Sequence, residues 1–335
     1  VLLRQGIELT ETMIERLIEQ GITYVYIEHE FTKDVDVQLA IPNELRVQAT
    51  KTIKETFTEL KSHAFTKKSY IFNKNEEKLT SIVEEIIKII TGESDAISML
   101  ADILITDDYT FQHSLNVAIY SLAIGTKLNL SEKELINLGI GAILHDVGKL
   151  FIEEDILKKP DKLSPEEYEI MKQHTELGFE YIRKYTDLPT VVAHCAYQHH
   201  ERLDGSGYPR QLKNGDIHTF GKIIGIADVF DAVTSNRVYR DAMLPSEGLE
   251  ILYAGAVEKF DKEMVEIFKD CIVSYPNGIT VTLNDGRVGV VVRQNKHLND
   301  RPVSRIVRQK EKDVSEPYDL DLSKALDVTI SSCQV

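Results

Sequence analysis

The sequence has no tryptophan, and its 335 residues include only three cysteines, Cys195, Cys271 and Cys333. These lie far apart and form no C-x-x-C pair. That excludes a disulfide framework and a thiolate zinc site, and reads as reduced thiols in a cytosolic protein. Cys195 and Cys271 are expected to be buried packing residues. Long apolar runs are missing too. No stretch of about 18 apolar residues occurs, so no membrane span is expected. The start, Val1-Leu2-Leu3-Arg4, has neither the apolar stretch nor the small-residue cleavage site of a secretory signal. It also lacks an initiator Met, and we expect an upstream segment to have been removed or left out. Basic charge is in deficit: Lys plus Arg number 39 against 54 Asp plus Glu, a formal charge of -15. Such a chain repels polyanions, so a nucleic acid polymer is not an expected partner. A small anion is accommodated if metals and a few cations reverse the field locally. Neither a Gly-rich phosphate loop nor a G-x-S-x-G elbow is present to suggest their chemistries.

What is present is a soluble profile, 42% hydrophobic and 28% charged, with ample material for a core. The length exceeds one ordinary domain of roughly 100–200 residues. We divide the chain into four parts. Residues 1–42 read as a small α/β module of unassigned role. Thr10 caps a helix from Glu11 to Gln20, Gly21 closes it, and the β-branched run Ile22 to Ile27 predicts a strand. Residues 43–94, after Pro42, read as a helical connector with a break near Ser69 to Asn75. Ile82, Val83, Ile86, Ile87 and Ile90 form one apolar stripe there. Residues 95–275 are helix after helix. Ser131-Glu132-Lys133-Glu134 and Ser164-Pro165-Glu166-Glu167 are capping boxes, the second with proline at the first helical position. Asp204 to Gly215, with three glycines and a proline, predicts a loop. Residues 276–335 read as a small β domain. Ile279 to Leu283 and Val288 to Val292 flank the hairpin signal Asn284-Asp285-Gly286, and Val303 to Val307 and Val328 to Ser331 are further strand-like runs. The expected fold is mainly α, a helical bundle with a small α/β module before it and a small β domain after it.

Within the helical region, histidines and aspartates fall into groups. His145-Asp146 lie together at a helix end, and His199-His200 are adjacent. His113 and His174 lie within predicted helices, and Asp228 sits in the apolar helix around Ile223 to Val233. Imidazole with carboxylate suits iron, manganese or zinc. Taken singly, each residue has a plainer reading: a cation at a helix C-terminus, a polar helix tip, a satisfied core histidine, or a cap. A set this large exceeds the needs of one ion. A carboxylate bridging two ions is the natural arrangement, and such a pair cleaves phosphodiesters without a Ser or Cys nucleophile.

Three motifs carry a family resemblance: His145-Asp146-Val147-Gly148-Lys149, then His199-His200-Glu201-Arg202-Leu203-Asp204-Gly205-Ser206-Gly207-Tyr208-Pro209, then Ala227-Asp228-Val229-Phe230-Asp231-Ala232. With them, about residues 95–270 resemble an HD-GYP domain, the subgroup of the HD superfamily that hydrolyses cyclic di-GMP. The resemblance implies an HD-type helical bundle and a cytoplasmic, metal-dependent phosphodiesterase. It implies that His113, His145, Asp146, His174, His199, His200 and Asp228 bind metal, with Asp146 as the bridge. It implies two divalent ions per chain, iron or manganese, and attack on phosphorus by an activated hydroxide. Lys149 matches the lysine that contacts the scissile phosphate. Arg237 and Arg240 match cations that hold the ligand's phosphates, and arginine forks suit that task. Tyr208 is either a substrate contact or a structural residue. Glu201, Asp204 and Asp231 are expected to orient ligand histidines or to serve structure.

Two departures stand out. The family often has an acidic residue and then Arg-Pro-Tyr where this chain has Asn236-Arg237-Val238-Tyr239. Some members carry a glutamate where this chain has Tyr109, four residues before His113, so two metals are expected here and not three. Rival readings are an HD hydrolase of another cyclic dinucleotide and a catalytically silent module that senses cyclic di-GMP or docks a signalling protein. A homodimer or a signalling partner, engaged through the N- or C-terminal module, is also open.

Overall fold

The computed structural model describes residues 7–19, 30–35, 41–62, 69–92, 109–159, 161–235, 243–295, 298–310 and 312–334. The strand expected over Ile22 to Ile27 lies outside them, as do Gly21, Arg237 and Arg240. The chain is mainly helical and ends in one antiparallel sheet. Helix α1 (Glu11–Glu19) starts at Thr10, whose hydroxyl accepts from the Met13 amide at 3.4 Å. Helices α2 (Asn43–Ser62) and α3 (Ser69–Gly92) follow. The break expected near Ser69 to Asn75 is helical instead. Asn75 reads as a helix breaker, but its side chain is fully buried and donates to Glu59 Oε2 at 2.6 Å, a tie between α3 and α2 that outweighs weak propensity. The stripe of Ile82, Val83, Ile86 and Ile90 is buried, with Ile87 half-buried beside it.

Helix α4 (Tyr109–Lys127) is the centre of the bundle. Its Leu115, Val117, Ile119, Leu122 and Ile124 are all buried, on more than one face, because α2, α3, α5 (Glu132–Leu144), α10 (Thr219–Thr234) and α12 (Lys262–Cys271) pack around it. Each such side chain contributes about 1.5–3 kcal/mol by leaving water. Helices α2 and α3 share this core and pack as part of the bundle. Both capping boxes form, at Ser131 and at Ser164. They start α5 and α7 (Pro165–Lys172), and α6 (Glu154–Leu157) lies between them. Helices α8 (His174–Tyr185), α9 (Thr190–Gln198) and α11 (Pro245–Gly255) complete the bundle.

The sheet has the order β4-β3-β2-β1-β5. Strands β1 (Thr280–Leu283) and β2 (Val288–Arg293) form the expected hairpin, with Gly286 at φ +82°, a conformation glycine adopts without strain. Strands β3 (Val303–Gln309), β4 (Lys312–Asp321) and β5 (Ile330–Gln334) complete it. Val281, Leu283, Val291, Ile306, Leu322 and Val328 make a small core of their own. Strand β4 has no counterpart among the sequence expectations. It is an edge strand with mostly exposed side chains, and its Pro317 is tolerated because an edge leaves amides unpaired on one side.

Candidate metal centre

The donors gather where helices end. His145 is the C-cap of α5, and Asp146 at φ -100° and ψ 9° turns the chain into a 3-10 turn, Val147–Phe151. This reorientation lets two adjacent residues face one point. His174 opens α8, and His199 caps the end of α9 with His200 following. His113 stands in the second turn of α4, and Asp228 lies mid-way along α10. Gly148 permits the arrangement, since a Cβ there would lie 1.8 Å from the His174 carbonyl oxygen. The structure thus brings all seven expected ligands into one cluster.

Asp146 is its hub. Its Oδ1 faces His174 Nε2 at 3.4 Å and His199 Nε2 at 3.8 Å. Its Oδ2 faces His145 Nε2 at 3.3 Å and His113 Nε2 at 3.7 Å. Two groups of ligand atoms suited to a cation result: Asp146 with His174, His199 and His200, and Asp146 with His113 and His145. Asp228 joins from α10, with Oδ1 3.3 Å from His113 Nε2 and Oδ2 3.9 Å from His200 Nδ1.

The imidazoles are turned for the task. His145 Nδ1 donates to the Ala142 carbonyl at 2.7 Å, His174 Nδ1 to Met171 at 2.7 Å and His199 Nδ1 to Ala196 at 3.0 Å. A carbonyl only accepts, so the proton sits on Nδ1 and the Nε2 lone pair faces the cluster. Burial holds the pKa of His174 down at about 4, and those of His199 and His200 well below the usual histidine range. Burial also opposes charge on Asp146 and Asp228. The nearby Lys149 and His145 outweigh it for Asp146, and hydrogen bonding to His113 with the charge of His200 does so for Asp228, so both stay ionised. For His113, burial is overcome by hydrogen bonds to Asp228 and Asp231, and its pKa rises to about 9. Neutral imidazoles and ionised carboxylates are the protonation states that ligate divalent cations; His174, His199, His200, Asp146 and Asp228 hold them already, whereas His113 must give up its Nε2 proton to join them. His145 Nε2 and Asp146 Oδ1 are also buried without a hydrogen-bond partner. Such atoms are costly unless water or an ion meets them, and a cation suits both a lone-pair nitrogen and a carboxylate oxygen. The residues present therefore fit divalent metal binding.

The mouth of the site is marked by exposure. His145 and His199 side chains are 0% exposed, against 20% for His200 and 31% for Lys149. Lys149 Nζ lies 2.5 Å from Asp146 Oδ2. The half-buried Tyr208 stacks on His200, with ring centroids 4.6 Å apart and planes 27° apart.

The three acidic residues expected to support the ligands divide. Asp231 does orient one, accepting from His113 Nδ1 at 2.7 Å. Glu201 instead accepts from the amides of Arg210 and Leu212, and Asp204 accepts from the Ser206 amide at 2.8 Å. Those two shape the Asp204–Gly215 loop. Asn116 and Arg202 were assigned no role from the sequence. Asn116 Nδ2 donates to Asp231 Oδ1 at 2.9 Å. Arg202 Nη1 donates to the His199 carbonyl at 3.0 Å and fixes the chain as it leaves α9. Neither has a spacing that singles it out. Tyr109 begins α4, but its side chain lies outside the described residues.

A helical bundle that gathers a His-Asp pair and a His-His pair with further donors from α4, α8 and α10 is the arrangement of an HD domain. The HD domain profile matches residues 94–264, just over half of the sequence, and the profile of the KOW domain associated with HD domain matches residues 280–334. The chain belongs to the HD domain family, in its HD-GYP group. It is 30% identical over 216 residues to cyclic di-GMP phosphodiesterase PA4108 of Pseudomonas aeruginosa, covering 64% of this chain and 52% of that one. It is 39% identical over 159 residues to 3'3'-cGAMP-specific phosphodiesterase 2 of Vibrio cholerae, covering 47% of this chain and 30% of that one. The chain thus spans about half of the first relative's length and under a third of the second's. Among solved structures, Bd1817, an HDG"Y"P protein from Bdellovibrio bacteriovorus, shares the fold with a TM-score of 0.56 at 18% identity, covering 77% of this chain and 78% of that one. Among the described residues, no helix is long and apolar enough to cross a membrane.

Proposed function

We propose that the chain is a cytoplasmic cyclic dinucleotide phosphodiesterase that holds two divalent ions, iron or manganese, and hydrolyses cyclic di-GMP to the linear dinucleotide or GMP. The observation that carries this reading is the division of Asp146: its two oxygens face two different sets of histidine nitrogens. Two ions there supply Lewis acidity toward a phosphodiester and acidify water. The protein's own groups do the rest. Asp146 and Asp228 hold negative charge at the centre, and the Nδ1-to-carbonyl bonds keep three imidazoles aimed inward. Lys149, at the mouth, donates to a phosphate oxygen, and Tyr208 presents its ring beside His200. Arg237 and Arg240, which follow α10 in sequence, hold phosphates. Residues 95–275 carry the reaction, and residues 1–42 and 276–335 serve contact with a second copy or a signalling protein.

A second substrate has specific support, because a relative at 39% identity is named for 3'3'-cGAMP. One experiment tests both. The chain is purified without chelator, its metals are measured, and turnover of cyclic di-GMP, 3'3'-cGAMP and cyclic di-AMP is compared anaerobically with Fe2+ and Mn2+. Cyclic di-GMP as the fastest substrate supports the proposal, and 3'3'-cGAMP as the fastest supports the second reading. Tight binding of cyclic di-GMP without turnover at full metal occupancy would overturn catalysis in favour of a sensing module. Changing both Arg237 and Arg240 to Ala is expected to raise KM with metal content unchanged, since each charge-assisted bond contributes about 1.5–3 kcal/mol.

A further inference from the structure

A line of buried polar side chains leaves the candidate metal centre and ends in α2. His113 Nδ1 meets one oxygen of Asp231 at 2.7 Å, and Asn116 Nδ2 meets the other at 2.9 Å. Asn116 Oδ1 in turn accepts from Arg46 Nη1 at 3.2 Å. All four side chains are buried, and even Arg46 is only 6% exposed. Arg46 lies well before residue 94, where the HD domain match begins.

The chemistry at each step fixes the direction of the line. A guanidinium only donates, so the Asn116 amide turns its oxygen to Arg46 and its nitrogen to Asp231. An ionised carboxylate only accepts, so Asp231 takes an N–H on each oxygen. His113 must then present Nδ1–H to Asp231, which leaves Nε2 facing Asp146 and Asp228. The carboxylate and the guanidinium grip opposite ends of the Asn116 amide, and without the arginine its orientation rests on Asp231 alone, whose Oδ1 also accepts from the Ser235 hydroxyl at 3.2 Å.

We propose that Arg46 is a positioning residue of the metal centre, setting the orientation and tautomer of His113 through Asn116 and Asp231. The inference rests on the metal-centre reading above and adds α2 to the structures that support that centre.

The test uses the full chain stripped of metal. Mn2+ binding by calorimetry and the melting temperature of the metal-free protein are measured for Arg46→Leu, Arg46→Lys and Asn116→Asp. Asn116→Asp keeps the size of the side chain but turns an acceptor toward Asp231. Arg46→Leu and Asn116→Asp are expected to weaken the ion held through His113 by about 10–100-fold, as loss of an outer-shell partner does. The ion held through His174 and His199 should keep its affinity, and Arg46→Lys should recover most of the loss. A merely structural role would weaken both ions in step with the melting temperature, and that result overturns the proposal. Unchanged affinity for both ions in Asn116→Asp overturns it too, even if Arg46→Leu fails to fold. Failure of the wild-type chain to bind any Mn2+ or Fe2+ would instead remove the underlying metal reading, and this inference with it.

Discussion

At the residue scale, the centre depends on one carboxylate. Asp146→Asn keeps the shape of the side chain and removes the charge that both histidine groups face. We expect metal content and turnover to collapse together while the helical circular dichroism persists. Wild-type occupancy in that variant would refute the bridging role. The histidines predict a pH dependence for the metal-free protein. His174, His199 and His200 have folded-state pKa values depressed below the unfolded value of about 6.5. Below that pH the unfolded chain takes up protons that the folded chain refuses, so stability falls as pH drops from about 6.5 toward 4. His113 has the opposite sign. Its raised pKa gives stability that is full below about 6.5 and fades as pH rises through about 9. The melting temperature of chelated protein should therefore decline on both sides of near-neutral pH, and a flat profile from pH 4 to 7 would contradict this. The seven clustered donors were legible in the sequence because the motifs around them resemble the HD-GYP family, which implied the set; singly, each His or Asp had a plainer reading. Arg46 and Asn116 were not, because an arginine and an asparagine 70 positions apart announce nothing until folding puts them 3.2 Å apart.

At the element scale, the centre requires the 3-10 turn after α5 to lie against the start of α8. Gly148→Ala places a methyl on the His174 carbonyl and the Gly178 amide, both backbone atoms that cannot rotate away. We expect a stability loss of at least the roughly 1–3 kcal/mol of ordinary overpacking, with weaker metal binding. Wild-type melting temperature and metal affinity would show that the turn has room to shift. Helix α7 behaves differently. None of its residues is buried, so it relies on local terms such as the Ser164 cap. Ser164→Ala should cost about 0.5–2 kcal/mol of local stability. Hydrogen exchange is expected to quicken in α7 and stay unchanged in α4. The capping boxes were readable because their signal spans four residues. Strand β4 was not, because an edge strand buries little and its pattern of polar residues around Pro317 carries no clear period of two. The supposed break at Ser69–Asn75 failed for a related reason: a long-range contact of Asn75 overrode local propensity.

At the scale of the whole molecule, sheet and bundle meet through specific polar contacts. Asn299 Nδ2, just before β3, donates to the Ile272 and Asp270 carbonyls at the end of α12, at 3.0 and 3.1 Å. Arg305 of β3 forks onto Asp34 at 2.6 and 3.0 Å and also meets Asp319 at 2.7 Å. The Asp34 and Asp319 carboxylates are well exposed, and exposed pairs contribute only about 0–1 kcal/mol. Arg305→Ala should leave melting temperature and turnover nearly unchanged while speeding proteolysis near residues 30–35. Loss of turnover in that variant would mean that this tie reaches the site. The division into a helical part and a terminal sheet was visible in the change of hydrophobic period after Pro276. The sharing of one core by α2 and α3 with the rest of the bundle was not, since periodicity shows an apolar face without showing what covers it.

The wide spacing of the donors also bears on biosynthesis. His113 and its partner Asp231 are 118 residues apart, with the other donors strung between them. A chain emerging from the ribosome N-terminus first passes through lengths at which some of the histidines exist without the carboxylate of α10. No partial chain can close the cluster, so cofactor acquisition is deferred until nearly the whole bundle has been translated. Truncated products are left without the donor cluster that fits a divalent cation.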